Sequence, residues 1–439
     1  MNRPARLSPA LLTHGVAILR QLLAFGEAAD KTLSHYFRAH PKLGHADRGV
    51  LAETCFALLR RYRSLSVKVA AVFPAAPVPS PRHLFLAALI LEGRALPEIE
   101  ALLNPGEAAG LAALEKFDDN TLTPAERADL PDWLYARLAG IHGKAETQAL
   151  AQAMNRPAPL DLRVNTLKGE RDAVLAEFAR ERIAAKAGAY SPFAIRLAEK
   201  PALARNPLFT QGVIEVQDEG SQLLGLLLAP KRGEAVADFC AGAGGKTLLL
   251  GALMANSGRL YAFDVSEKRL ARLKPRLARS GLSNIHPIRI ESERDPRLKR
   301  LAGKMDKVLV DAPCSGLGAL RRNPELKWRQ TPESVVELTQ KQAAILAAAA
   351  RLVRPGGRLL YATCSLLDAE NDRIVDAFLA AHPEFTLLSA HAELARFNLP
   401  DIGERLQLFP LQHNTDGFYA ALLTKNTTWG KDKPGRSSL

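Results

Sequence analysis

The order of apolar and polar positions changes character twice along the chain. Over 11–25, 48–62, 81–91 and 124–138, apolar residues recur at helical spacing, which predicts amphipathic helices and almost no strand in the first ~140 residues. Thr123 suits the N-cap of the last of these, and Pro124 its first turn, where a proline forfeits no hydrogen bond. The proline-rich break 73-FPAAPVPSP-81 separates two helices without being long enough for a linker. Near Arg156 the pattern changes: 160-LDLRVNTL-167 alternates as a strand does, and 170–182 is again helical. From Val216 onward short apolar runs alternate with helical segments. Strands are expected at 235–239, 260–264, 287–290, 307–311, 358–363 and 386–389, with a closing pair at 406–409 and 418–423. Such alternation calls for a parallel sheet covered on both faces. Pro275, inside the helical 267-EKRLARLKPRLARSG-281, should kink that helix or make it restart.

These changes divide the chain into an all-helical domain over 1–140, a small α+β domain over 141–215, an α/β domain over 216–425 and a polar basic tail over 426–439, expected to be disordered. A chain of 439 residues has room for that many cores. No apolar run approaches the ~18 residues of a membrane span, and Arg20 and Gln21 interrupt the apolar opening, so neither a membrane segment nor an export signal is expected. Net charge adds a partner. At +13, the chain suits a polyanion, because Lys and Arg release counterions when they neutralise phosphates. The four cysteines, at 55, 240, 314 and 364, show no metal-ligand spacing and no disulfide framework, which fits a reducing cytoplasm and no bound metal.

The segment 236-VADFCAGAGGKT-247 sets a glycine-rich turn between an apolar strand and a helix, where backbone amides can meet a ligand. A Walker A loop would need glycine at Cys240, and a dinucleotide fingerprint would need it at Thr247, so neither motif is met. Asp264 ends the next strand, the right place to accept hydrogen bonds from a ribose. A nucleoside site without a pyrophosphate cradle fits both features, although a tight turn alone would account for the loop.

Two cysteines follow strands of the same sheet: Cys314 in 311-DAPCSG-316 and Cys364 in 361-YATCS-365. Ligands of open α/β sheets bind outside the carboxyl ends of the strands, which puts both thiols beside the cofactor loop. Ser365 can cap a helix with Asp368 three residues on, so Cys364 is expected at a helix N-terminus, where a thiolate is favoured. Cys240 and Cys55 are expected to be packing residues. Arg321, Arg322, Lys327, Trp328 and Arg329 combine cations with an aromatic ring and suit RNA contact, while a solvated charge run is the plainer account. The cations of 267–281 divide evenly between those two readings. No G-x-S-x-G elbow supports a serine hydrolase.

At these residues the chain resembles the RsmB (Sun/Fmu) branch of the RNA 5-methylcytosine methyltransferases. Further matches are 163-RVNT-166, 217-QDEGSQ-222, 321-RRNPELKW-328, 370-END-372 and 415-TDGFYA-420. The stretch 43-LGHADRGVLAETCFALLRR-61 is similar to the NusB-like RNA-binding domain of that branch. The resemblance implies a Rossmann-like methyltransferase domain, an N-terminal NusB-like domain and a small α+β middle domain. It further implies S-adenosylmethionine as cofactor, held by Cys240, Ala241, Gly242, Ala243, Gly244, Gly245 and Lys246, with Asp264, Lys268, Arg269, Glu291 and Asp311 completing the set. The family's Asp near the adenine is replaced here by Glu291 in 288-IRIESERD-295, which leaves Glu291 and Asp295 as alternatives for that contact.

In the family, the cysteine matched by Cys364 adds to carbon 6 of cytosine, which makes carbon 5 nucleophilic, and the one matched by Cys314 is needed for release. Asp311 would hold the cytosine edge, either accepting from the exocyclic amine or, protonated, donating to ring nitrogen 3; Lys246 would support it. The expected partner is RNA, ribosomal rather than transfer RNA, met by a monomer. A non-catalytic RNA-binding scaffold and a nucleotide-dependent oxidoreductase are the competing classes. A scaffold has no need of two cysteines beside a cofactor loop.

Overall fold

The computed structural model describes residues 7–74, 79–397, 399–400 and 402–427. Residues 75–78 of the proline-rich break, and the basic tail from 428, lie outside the described residues. Contacts divide the chain into two units, 1–157 with 319–332, and 158–318 with 333–439.

The first unit is helical. Helices Pro9–Leu22, Ala29–Ala39, His45–Arg60, Tyr62–Val72 and Pro81–Leu91 bury one apolar face each around Ile18, Leu19, Leu51, Leu58, Val69 and Phe85. Cys55 belongs to this core, and burial pushes its thiol well above the usual range. The single helix expected over 124–138 is instead two, Pro124–Arg127 and Asp132–His142. Thr123 caps the first, its hydroxyl accepting from Glu126 N while Glu126 Oε2 accepts from Thr123 N. Between them Asp129 takes a left-handed conformation (φ 54°), and its buried carboxylate accepts from Ser64 N at 2.8 Å, which breaks the helical run. The boundary expected at residue 140 falls inside Asp132–His142. The next helix, Lys144–Met154, stays with the first unit, and the division by contacts comes after Pro157.

Segment 319–332 also belongs to this unit, which alters the reading of its cations. Lys327 is buried, which pulls its amine down to about 7, and its Nζ donates to Arg60 O (2.7 Å) and Asn155 Oδ1 (2.9 Å). Trp328 donates from Nε1 to Leu59 O and sets its ring edge-on to Tyr62. Within the expected RNA-facing run, then, Lys327 is interior and Trp328 partly buried, and both serve packing and hydrogen bonding within the helical unit.

The second unit holds two sheets. The smaller is antiparallel, built from β1 (Leu160–Val164), β2 (Ala185–Ala187), β3 (Ala194–Leu197) and β4 (Ile214–Val216) in the order β2-β3-β1-β4. Helix Arg171–Arg180 lies between β1 and β2 in the chain, and its Val174 and Phe178 fill the core under the sheet. The larger sheet contains β5 (Ala235–Asp238), β6 (Arg259–Asp264), β7 (Ile285–Arg289), β8 (Met305–Asp311), β9 (Val353–Thr363), β10 (Phe385–Leu388), β11 (Leu406–Leu408) and β12 (Phe418–Lys425). Its order is β10-β12-β9-β8-β5-β6-β7, with β11 paired to β12. Strands β5 to β9 are parallel and β12 runs antiparallel to β9. Each strand expected after residue 235 is present, and β9 starts earlier, at Val353.

Val236, Ala237, Val308, Leu309, Leu359 and Leu360 are fully buried, as a sheet covered on both faces requires. The helix containing Pro275 runs unbroken as Glu267–Ser280 and does not restart. From β5 the chain winds outward through β6 and β7, then crosses back to β8 on the other side of β5. The winding direction reverses between β5 and β8, and in open sheets of this kind ligands bind outside the carboxyl ends of the strands at such a point.

Candidate active site at the carboxyl ends of the sheet

Four strand ends supply the site. After β5 the chain turns through Cys240–Gly244 into helix Gly245–Leu253. Gly244 holds φ 85°, and a Cβ there would overlap Leu273, so glycine is required on both counts. On Gly242 a Cβ would meet nothing within 4 Å, so the loop presents an open face. Asp264, at the end of β6, is buried and accepts from Gly242 N (2.8 Å) and Ser266 N (2.7 Å), which ties the loop to the neighbouring strand. Arg269 reaches the same carboxylate at 3.1 Å, and Lys268 is exposed beside it. Backbone bonds complete the turn, with Ala241 N donating to Phe263 O and Gly244 N to Ala241 O.

From behind, two arginines grip the loop by its carbonyls. Arg276 donates to Ala243 O and Arg163 to Gly245 O, both at 2.7 Å. Arg163 lies on β1, in the smaller sheet, and also donates to Gln217. Its burial pulls the guanidinium down to about 10, with Glu215 acting in the opposite direction. Glu215 in turn receives Arg276 and Arg279. The motif 163-RVNT-166 gives Arg163 no task in sequence beyond a charged residue in a strand whose neighbours are buried.

Asp311 ends β8. Lys246 Nζ lies 2.7 Å from its Oδ2 and 5.4 Å from the centre of the Phe418 ring. Burial is the largest single influence and works against the Lys246 ammonium, but Asp311, with Cys364 and Asp238, turns the net direction upward. Asp238, at the end of β5, is fully buried and accepts from Thr247 Oγ1 at 2.7 Å. Burial, with Asp311 nearby, pushes its carboxyl up to about 7. Its Oδ1 has no hydrogen-bond partner among the described residues. Cys240 is partly buried against the core; burial and the carboxylates of Asp238, Asp311 and Asp264 push its thiol up, so it is a neutral packing group.

The two remaining cysteines meet. Cys314 Sγ lies 3.4 Å from Cys364 Sγ, and both side chains are partly exposed. The hydrogen bond to Cys364 is the largest influence raising the Cys314 thiol, followed by burial. The expected helix N-terminus at Cys364 is absent. After Ser365 comes an irregular turn and a short 3-10 turn, Asp368–Glu370, and the helix begins at Asp372. Ser365 Oγ accepts from Leu367 N and donates to Glu370, which holds the chain out of a helix. Gly318 N donates to Cys364 O, and Gly417 N to Gly318 O, so the segment before Phe418 is stitched to both cysteine loops.

Beyond β7, Asp295 is already engaged. It accepts from Glu291 N (3.0 Å) and Arg297 N (2.9 Å) and pairs with the Arg297 side chain, which holds its carboxyl below the usual range. Of the two candidates for an adenine contact, Glu291 is the exposed one. Among the described residues no helix is long and apolar enough to cross a membrane.

The open loop face, the orphaned Asp238 oxygen and the acid at the end of β6 fit a nucleoside with a cationic end. Comparisons with known proteins agree. A family described as 16S rRNA methyltransferase RsmB/F matches residues 225–424, and the ferredoxin-like domain of RsmF/B-like methyltransferases matches 130–204. The chain is 32% identical to the probable ribosomal RNA small subunit methyltransferase B of Synechocystis sp., over 93% of this chain and 98% of that protein. It is 34% identical to the ribosomal RNA small subunit methyltransferase B of Sodalis glossinidius, over 88% and 91% respectively. Among solved structures, that of PH0851 gives a TM-score of 0.77 at 28% identity, covering 96% of this chain and all of that one.

Proposed function

Since the chain belongs to the RsmB/F family of 16S rRNA methyltransferases, which use S-adenosylmethionine, we propose that it methylates carbon 5 of a cytosine in small-subunit ribosomal RNA through a covalent adduct on Cys364. The observation that carries this reading is the 3.4 Å approach of the Cys314 and Cys364 sulfurs beside the Lys246–Asp311 pair.

S-adenosylmethionine supplies an electrophilic methyl group on a sulfonium. The 240–246 loop, Asp264 and Glu291 would hold it, with Arg269, now on Asp264, able to give way to a ribose. Asp311, held by its pair with Lys246, accepts from the exocyclic amine of cytosine, which uracil lacks. Cys364 forms a bond from sulfur to carbon 6, the 5,6 double-bond electrons shift toward carbon 5, and carbon 5 takes the methyl group. The carbon 5 proton then leaves and the carbon 6–sulfur bond breaks. Cys314, whose sulfur lies 3.4 Å from that of Cys364, would take the carbon 5 proton as a thiolate, its own proton having passed to solvent, and the ring electrons expel the Cys364 sulfur as a thiolate. The target base has to be unstacked to reach a site of this kind.

Incubation of the protein with labelled S-adenosylmethionine and small-subunit particles from a strain lacking the gene tests the reading. Label at one cytosine that resists bisulfite conversion is expected. Label on transfer RNA alone, or at an atom other than carbon 5, overturns it.

A further inference from the structure

Between the two cysteine loops sits a carboxylate that neither reacting carbon nor cofactor requires. Glu370 is fully buried, and its oxygens accept from Ser315 N (2.8 Å), Ser315 Oγ (2.5 Å), Gln342 Nε2 (2.9 Å) and Ser365 Oγ. Ser315 follows Cys314 and Ser365 follows Cys364, so one side chain grips the residue after each thiol. Gln342 extends the brace by donating also to Pro313 O, on the other side of Cys314, at 3.0 Å. The backbone of Glu370 is fixed in turn, because Tyr361 OH donates to its carbonyl at 2.7 Å. Asn371 secures the Cys364 side: it accepts from Thr363 Oγ1 (2.6 Å) and donates to Ser365 O (3.0 Å).

We propose that Glu370 is a positioning residue that clamps the Cys314 and Cys364 loops together, so that both sulfurs address the same pyrimidine carbon–carbon bond. The geometry needs such a clamp. The two loops hang from the ends of separate strands, β8 and β9, and the Cys364 loop has no helix start to fix it. Burying a carboxylate is costly unless it is fully hydrogen-bonded, and here its donors come from both loops, so its satisfaction depends on their register. The inference rests on the two-thiol reading of the site, and its test includes an arm that involves no RNA.

Phenylarsine oxide reports paired thiols directly: two arsenic–sulfur bonds form, and the arsenic-bound oxygen leaves as water with the two thiol protons. In the full chain, with Cys314→Ala as the unpaired control, capture of both thiols by one arsenical is expected for the parent and for Glu370→Gln. The amide keeps the shape, and the serine hydroxyls can turn to accept from it. Glu370→Ala is expected to lose paired capture and to lower kcat by about 10²-fold, the scale of a roughly 1 Å misplacement, with KM for S-adenosylmethionine within about threefold. Paired capture at the parental rate in a folded Glu370→Ala protein, or kcat within about threefold of the parent, overturns the proposal. If Glu370→Ala does not fold, Ser365→Ala removes one link and should slow both capture and turnover about tenfold; parental values there overturn it equally. Should the parent fail to methylate carbon 5, the arsenical arm still decides whether Glu370 sets the thiol pair.

Discussion

Arg163 Nη1 donates to the carbonyl of Gly245 across 2.7 Å although 82 positions separate them in the chain. The arginine stands on a strand of the smaller sheet and the glycine at the first turn of the helix behind the cofactor loop. The middle module therefore does more than add surface: it carries the group that fixes the loop from behind.

Arg163→Met keeps the apolar stem and removes the charged donor. A hydrogen bond to a charged group contributes about 1.5–3 kcal/mol, so S-adenosylmethionine should bind roughly 10- to 100-fold more weakly, with kcat at saturating cofactor little changed. Calorimetric titration of parent and variant measures it; equal affinities would show that the loop holds its shape without the clamp.

The two thiols should separate by function. Cys364→Ala is expected to abolish methyl transfer and any RNA adduct, because it removes the attacking sulfur. Cys314→Ala should still permit attack and methylation but slow elimination, leaving protein on RNA as a species that survives denaturing electrophoresis. Adduct from Cys364→Ala and none from Cys314→Ala would reverse the roles.

The sheet was legible because its strands are short apolar runs ending in polar turns, and Asp264, Asp311, Cys314 and Cys364 all fall at or just past strand ends. That placement follows from topology, which the alternation of strand and helix already dictates. The helix N-terminus assigned to Cys364 was not legible, because the Ser365 hydroxyl that could cap a helix instead donates to Glu370, a contact made within an irregular turn. Lys327 and Trp328 misled for a related reason. A cation next to an aromatic ring reads as a surface feature in sequence, whereas here a carbonyl and an amide oxygen inside the helical unit satisfy the ammonium. Glu370 and Arg163 stand in recognisable motifs, but Ser315 and Gln342, which complete the Glu370 network, and Gly245, which Arg163 meets, lie too far along the chain for spacing to reveal.

Lys327 gives a direct test of that correction. Lys327→Ala removes a buried donor and leaves Arg60 O and Asn155 Oδ1 short of a partner, which should destabilise the protein by about 1–3 kcal/mol. The dependence of RNA affinity on salt should keep its slope, since no phosphate contact is lost. A slope shallower by about one with unchanged melting would restore the RNA-contact reading.

Asp238 makes stability depend on pH in an unusual direction. Burial, with Asp311 close by, pushes its carboxyl up to about 7 in the fold from the ordinary 3.8. Between those limits the unfolded chain loses this proton while the folded one keeps it, so the stabilisation is fully present below about pH 4 and is lost as pH rises to about 7. At about 1.4 kcal/mol per pH unit, the difference between 3.8 and about 7 is on the order of 4 kcal/mol. Asp238→Asn keeps an acceptor for Thr247 without a titrating proton. Its melting temperature relative to the parent should therefore climb from pH 5 to pH 7.5 and level off above. Cofactor binding should show the opposite face of the same proton. If the cationic end of S-adenosylmethionine lies against this carboxyl it favours the ionised form, as Lys246 does, so parental affinity for the cofactor should rise across the same interval and that of Asp238→Asn should not. A melting difference between parent and variant that stays constant from pH 5 to pH 8 would mean that Asp238 does not carry this proton.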